Sequence, residues 1–423
     1  MKRFLYLFLV IFCLSCHPDV NVDAVQLSYT FPAKEWIFMN GEPQQADVTL
    51  KNTSSEPAEC NVILVLKTDK YAAVDSIVTP VRLSAGEEKT TSVAFKLPEP
   101  GFYRCKLYLK NSSAASDAKM VNIGYEPEKI VSPRDAKPGF EDFWAVTRAE
   151  LDKVKPNYKL TLLPERSTGA KNIYHVEMRS YGNVKVEGYY AAPKAKGVYP
   201  AIAVYMGYAA EPHLPHTDGN PGYAEFILSV RGQGIQKATN TYGDWIVWGL
   251  ESKDTYYYRG AFMDLVRAVD FLVSRPEVDK RKIVAEGGSQ GGAFTMAACA
   301  LDSRIKAGAP TIPFLSDYRD YFEIVGWPRS SFESYLKEHP GRTWDEVYDV
   351  LTYFDIKNLA GWIQCPILMA AGLQDEVCPP HTNFAGYNLI PSEKQYRIYH
   401  NQAHSTPAEW YEVRTKFFNE QTK

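Results

Sequence analysis

The chain has 423 residues, of which 45% are hydrophobic, 23% charged and 13% aromatic. At about 150 residues per domain this fits two or three domains with a sizeable core, and the composition excludes a disordered chain and a multi-span membrane protein. Lys and Arg number 47 against 50 Asp and Glu, a net charge of −3, which leaves no basic footprint for nucleic acid as a partner.

Lys2 and Arg3 precede an apolar run from Phe4 to Leu14, closed by Ser15 and Cys16. A basic start and a short apolar stretch predict a secretory signal over residues 1–16, too short for a membrane span of about 20 residues. Cys13-Leu14-Ser15-Cys16 resembles the bacterial lipoprotein box, with Cys13 where that pattern usually has leucine. Such a box implies lipidation of Cys16, with an N-terminal lipid as the only membrane anchor and the protein exported to the cell envelope. The alternative is a plain signal peptide cut nearby.

Residues 25–124 read as strands alone, at Gln45–Asn52, Cys60–Lys67, Val78–Leu83, Thr90–Leu97, Gly101–Leu109 and Ala118–Ile123. Short strands at near-regular spacing predict a small β-sandwich of immunoglobulin-like type. Cys60, Val62, Leu64 and Leu66 share one face of their strand, as do Tyr103, Cys105, Leu107 and Leu109 of theirs. Tyr103, two residues before Cys105, matches the tyrosine corner of such sandwiches. Cys60 and Cys105 form either a disulfide, in an oxidising envelope, or two buried free thiols. This segment contains no histidine, and nothing in it reads as catalytic.

Residues 125–138 are polar and proline-bearing, a linker. From 139 to 423, strands and helices alternate, which predicts an α/β fold with a mostly parallel, doubly wound sheet. Strands are expected at Ile173–Met178, Lys185–Tyr190, Ala201–Met206, Phe226–Val230, Lys282–Glu286, Ile305–Ala309, Ile367–Ala371 and Gln395–Tyr399. Helices are expected around Phe140–Leu151 and at Ser252–Val273, Gln290–Ala300, Thr382–Leu389 and Ala408–Phe418.

The sharpest local signal is Gly287-Gly288-Ser289-Gln290-Gly291, between the apolar Ile283-Val284-Ala285 and the helix-like run from Ala293. That is the strand–turn–helix of a nucleophile elbow, and the small residues let the turn tighten until the Ser289 hydroxyl stands clear. A serine needs a base, and the base an orienting carboxylate, in the order Ser, Asp or Glu, His for this fold. Asp375 follows the buried run Pro366–Gly372, at the carboxyl end of a strand where ligands collect in open α/β sheets; Glu376 is its neighbouring fallback. The next strand ends in a loop with His400 and His404. His404 is preferred because it sits deeper in the loop and just before the last helix, whereas His381 opens a helix, a poor address for the base. The oxyanion donors expected are the backbone N–H of Gln290 and one from the loop Gly207-Tyr208-Ala209-Ala210. This chemistry needs no metal and no cofactor. Cys299, Cys365 and Cys378 occupy none of these positions and read as packing residues.

Further residues carry a resemblance. Arg231-Gly232-Gln233-Gly234, Tyr256-Tyr257-Tyr258-Arg259, Asp264, Arg267-Ala268, Val278-Asp279, Gly288-Ser289-Gln290-Gly291-Gly292, Tyr353-Phe354-Asp355, Asn358-Leu359-Ala360 and Gly372-Leu373-Gln374-Asp375 with Cys378-Pro379-Pro380 resemble the acetyl xylan esterase / cephalosporin C deacetylase family over roughly residues 135–423. The resemblance implies an α/β-hydrolase that removes acetyl groups from sugar hydroxyls through a serine acyl-enzyme. Its triad maps onto Ser289, Asp375 and His404, and its oxyanion donors onto the backbones of Tyr208 and Gln290. Arg231 and Gln233 map onto structural supports of the site. It also implies a homo-oligomer, since members form ring-like hexamers with inward-facing sites. Two departures touch the pocket wall: Met206-Gly207-Tyr208-Ala209-Ala210 stands where members have His-Gly-Tyr-Asn-Gly, and Ser405 stands where glutamate follows the histidine. The substrate expected is an acetylated xylo-oligosaccharide or related small acetylated sugar. Trp245, Trp248, Tyr318, Tyr321, Phe322 and Trp327 are aromatic candidates for stacking on sugar rings, with core packing as the competing role, and the long stretch Pro313–Val347 is a candidate pocket wall. A serine peptidase of the prolyl-oligopeptidase type and a lapsed glycan-binding lipoprotein are the alternative functions.

Overall fold

The computed structural model describes residues 22–112, 114–215, 220 and 222–423; the signal segment with Cys13 and Cys16 lies outside the described residues. Strands β1 (Val25–Thr30), β2 (Ile37–Phe38), β3 (Gln45–Asn52), β4 (Ala58–Thr68), β5 (Ala73–Leu83), β6 (Glu88–Ala94), β7 (Gly101–Lys110) and β8 (Lys119–Tyr125) come first. They form a three-stranded sheet, β1-β3-β6, facing a five-stranded sheet, β2-β8-β7-β4-β5. Val48 and Leu50 of β3 pack with Leu64 and Leu66 of β4 and with Leu107 and Leu109 of β7 in one apolar core. The alternation that predicts these inward faces is therefore what closes the sandwich. The Tyr103 hydroxyl donates back to the carbonyl of Glu99 at 2.5 Å, the corner bond its position predicts.

The disulfide alternative is corrected. Cys105 lies opposite Leu66 of β4, six residues along that strand from Cys60. At about 3.3 Å per residue the two are about 20 Å apart, far beyond the roughly 7 Å a disulfide spans between Cα atoms. Both are buried free thiols. Sharing a face with the core is not sharing a register.

Residues 126–138 pack down against the α/β part of the chain that follows: Ile130 is buried, and the Ser132 hydroxyl donates to Asp317 at 2.6 Å. Beyond them β9 (Lys159–Leu162), β10 (Lys171–Arg179), β11 (Lys185–Pro193), β12 (Tyr199–Tyr205), β13 (Ala224–Ser229), β14 (Val278–Gly288), β15 (Ile305–Thr311), β16 (Ile367–Gly372) and β17 (Lys394–Tyr399) form one sheet ordered β17-β16-β15-β14-β12-β13-β11-β10-β9. Strands β12 through β17 pair in parallel, and β9, β10 and β11 add an antiparallel edge. The central strands are largely apolar where both faces are covered: every residue of β13 and β16 is buried.

The helices are α1 (Phe140–Asp152), α2 (Tyr257–Val273), α3 (Gln290–Leu301), α4 (Tyr318–Ile324), α5 (Arg329–Glu338), α6 (Trp344–Leu351), α7 (Ile356–Ala360), α8 (Pro380–Tyr387) and α9 (Glu409–Gln421). Helix α2 begins five residues later than its apolar run predicts, because Thr255 and Tyr256 turn back onto the Ser252 carbonyl. The stretch from Pro313 is not a bare loop but carries α4, α5 and the start of α6. The loops after β12, β14, β16 and β17 all open at the carboxyl edge of the sheet, where the chemistry-bearing residues gather.

Candidate active site

Ser289 sits between β14 and α3 with φ 58° and ψ −121°, a strained conformation for a residue with a side chain. Close backbone approach holds it there. A Cβ at Gly291 would lie 2.1 Å from the Tyr205 carbonyl oxygen, one at Gly287 2.5 Å from the same atom, and one at Gly292 2.6 Å from the Thr311 carbonyl oxygen. The Ser289 N–H donates to Thr311 at 3.0 Å, and the Ser289 carbonyl accepts from Phe314 at 3.1 Å. Glycines therefore let β12 and β15 close on the turn and force the serine outward.

Asp375 is buried in the loop after β16. Its Oδ1 accepts the backbone N–H groups of Val377 and Cys378, both at 2.8 Å. Its Oδ2 lies 2.8 Å from His404 Nδ1, so the carboxylate is anchored on one oxygen and orients the imidazole with the other. Cys378 closes the circuit: its Sγ is 3.9 Å from Ser289 Oγ. Burial and the Asp375 charge push the Cys378 thiol well above its usual range, so it lines the serine as a neutral group and does not compete as a thiolate. Its place beside the serine is closer to the chemistry than a packing role foretells; the only sequence signal is its position three residues after Asp375.

The other candidates go elsewhere. His400 Nδ1 lies 2.8 Å from Glu35 of the sandwich. His381 lies between Asp69 at 2.7 Å and Asp320 at 3.1 Å; burial opposes its charge, but these hydrogen bonds and charges raise it to about 9. Glu376 is 76% exposed and pairs with Arg104 at 3.5 Å.

The loop after β12 runs alongside the elbow, for a Cβ at Gly207 would come 3.6 Å from the Gly288 oxygen and 4.0 Å from Ser289 Cβ. Gln290 is the first residue of α3, where a backbone N–H has no partner within the helix. Gln233 links the two: its Oε1 accepts from Ala209 N–H and from Gln290 Nε2, each at 3.1 Å. Tyr258, with no role readable from its position, donates to Gln290 Oε1 at 2.9 Å. Arg231 clamps Asp264 through Nε at 2.9 Å and Nη2 at 2.7 Å, and a Cβ at Gly260 would strike its guanidinium. Arg231 and Gln233 thus sit beneath the site, holding loops.

Tyr208 hydrogen-bonds Asp244 at 2.7 Å, and its ring stands edge-on to Trp245 and Trp327. Trp327 stacks on Phe314 and is 38% exposed, an open aromatic surface beside the Tyr208 loop. Tyr318, Tyr321 and Phe322 are core, though the Tyr321 hydroxyl holds the Val377 carbonyl at 2.6 Å. Trp248 stands edge-on to Tyr242.

Asp317, Asp320 and His381 bring one ligand atom each within 4.8 Å of one another. Lys357 neutralises Asp317 at 2.9 Å and Lys70 neutralises Asp320 at 2.5 Å. With His381 donating to two carboxylates, the group is a closed ion-pair network and not a donor set turned toward a cation.

Residues 123–422 match the acetyl xylan esterase (AXE1) family. The chain belongs to that family. This esterase is 26% identical over 392 residues to acetyl esterase Axe7A of Xylanibacter ruminicola, covering 89% of this chain and 86% of that one. It is also similar to two solved structures, the acetyl xylan esterase from Paenibacillus sp. R4 (30% identity, TM-score 0.66) and acetyl xylan esterase 1 from Thermoanaerobacterium sp. JW/SL YS485 (27%, 0.65). Each covers 70% of this chain and 98% of its own. The esterase is thus a serine hydrolase of the acetyl xylan esterase type on an α/β-hydrolase fold, and neither the peptidase nor the lapsed-lipoprotein reading is favoured. Among the described residues no helix is long and apolar enough to cross a membrane.

Proposed function

We propose that Ser289, His404 and Asp375 act as nucleophile, base and orienting acid in removing O-acetyl groups from xylo-oligosaccharides or related small acetylated sugars. The observation that carries this is the 2.8 Å Asp375–His404 contact at the sheet edge where Ser289 is thrust out. With Nδ1–H held by Asp375, His404 Nε2 takes the Ser289 proton as Oγ attacks the acetyl carbonyl. The backbone N–H groups of Tyr208 and Gln290 receive the oxyanion. His404 then protonates the departing sugar oxygen, leaving an acetyl-serine. Water, deprotonated by His404, attacks that ester; the bond to Ser289 Oγ breaks, His404 returns the proton to Oγ, and acetate leaves. Trp327 offers the sugar a flat apolar surface, and Met206, Ala209, Ala210 and Ser405 set the wall where this chain departs from its family.

The test is acetate release from a small acetyl ester and from acetylated xylan, with a proline-containing peptide as control, by wild type and Ser289→Ala. Release that drops at least about 10³-fold in the variant supports the proposal. Equal rates in both proteins would sink the mechanism, and cleavage of the peptide alone the substrate class. The proposal extends to an exported protein anchored through lipid on Cys16 and assembled from several copies. Mass spectrometry of the mature N-terminus and light scattering measure these two points; an unmodified Cys16 removes the anchor, and a monomer removes the assembly.

A further inference from the structure

The loops that carry Asp375 and His404 are gripped from behind by the sandwich. Gln374, adjacent to Asp375, presents its amide to the backbone of Asn122 on β8: Oε1 accepts from Asn122 N at 2.7 Å, and Nε2 donates to Asn122 O at 3.1 Å. The same Nε2 donates to the His400 carbonyl at 2.8 Å, four residues before His404. The Asn122 amide donates in turn to Leu373 O at 3.1 Å, and Gln374 N–H reaches Gln402 O at 2.9 Å. One side chain thus joins sandwich, acid loop and base loop.

A second anchor meets the base loop. Glu35 Oε2 accepts both His400 N–H, at 3.1 Å, and His400 Nδ1–H, at 2.8 Å. The Trp36 ring lies 4.7 Å from the same imidazole. Glu35 and Trp36 both carry left-handed backbone, at φ 50° and 58°, consecutive and neither a glycine. Such conformations cost energy and persist where surrounding contacts over-determine them, commonly at functional sites.

We propose that the sandwich is a positioning part of the active centre: Asn122 acting through Gln374, and Glu35 through His400, hold the acid and base loops in mutual register. The inference rests on the roles of Asp375 and His404 proposed above. Neither anchor touches substrate, so their effect falls on the geometry of the transition state. A displacement of about 1 Å at a reacting group costs about 10²-fold. A sandwich that only bound glycan would change affinity for polymer and leave turnover of a small ester alone.

The experiment measures kcat and KM on a small acetyl ester, together with thermal unfolding, for full-length Gln374→Met, Glu35→Ala, Glu35→Gln and His404→Ala. Expected is a kcat about 10- to 100-fold lower in Gln374→Met and Glu35→Ala, with KM within about threefold of wild type. Glu35→Gln, which keeps an acceptor oxygen for His400, recovers most of the loss. Unchanged kcat in both Gln374→Met and Glu35→Ala, with His404→Ala inactive, overturns this inference and leaves the triad standing. An active His404→Ala overturns the triad and this inference with it. Should Gln374→Met fail to fold, the Glu35 pair, at a half-exposed side chain, decides by the same readings.

Discussion

His404 and Asp375 face each other at 2.8 Å, and the second oxygen of Asp375 is already filled by two backbone N–H groups. The carboxylate therefore cannot turn away, and only an Nδ1–H imidazole fits it. Asparagine at 375 must place its NH2 against either the two backbone donors or His404 Nδ1–H. Asp375→Asn should therefore lower kcat by about 10⁴-fold while the protein stays folded. Steady-state kinetics beside circular dichroism checks this; a variant within tenfold of wild type would dismiss Asp375 as the orienting acid.

Gly291 tests the elbow. A methyl group there meets the Tyr205 carbonyl at 2.1 Å, a backbone atom that cannot step aside. Gly291→Ala should lose about 1–3 kcal/mol of stability by overpacking, and activity with it. Denaturant unfolding and ester hydrolysis measure both; a variant matching wild type in each shows that the turn has room the distances deny.

Gln233 bridges the two loops that carry the proposed oxyanion donors. Gln233→Leu keeps the bulk but removes the acceptor for Ala209 N–H and Gln290 Nε2. We expect kcat to fall by about 100-fold with little change in KM. A change confined to KM would make Gln233 a substrate-binding residue instead.

His381 makes the domain junction sensitive to pH. Its folded-state value, about 9, exceeds the usual 6.5 because Asp320 and Asp69 outweigh burial. A raised histidine contributes its stabilisation fully below about pH 6.5 and loses it as pH rises through about 9. The difference in unfolding temperature between wild type and His381→Asn should thus shrink between pH 6.5 and 9. A difference that is constant, or grows with pH, contradicts a charged His381 between these carboxylates.

Most of what the chemistry requires is local and is written along the chain. The glycines around Ser289, the apolar strand before it and the helix after it define an elbow from neighbours alone. Asp375 follows a buried apolar run and His404 follows the alternating strand β17, so their placement at strand ends is readable from pattern and order. Choosing His404 over His400 needed more, because both lie in one loop, and the choice shows structurally in partners 29 and 365 residues away in sequence. Cys60 and Cys105 show the same limit: alternation tells which face a side chain takes, but register along the strand comes from pairing. Strand β2, two residues long, has too short a run to carry a pattern at all. The grip of Asn122 on Gln374 lies beyond any motif, since it uses the backbone of one domain and could be made by almost any residue there. Sequence by itself determined which candidate residues stand at turns and strand ends, because periodicity and turn chemistry act over a few residues. Only the tertiary structure decided which of them face each other and what holds them, because those contacts form between segments tens to hundreds of residues apart.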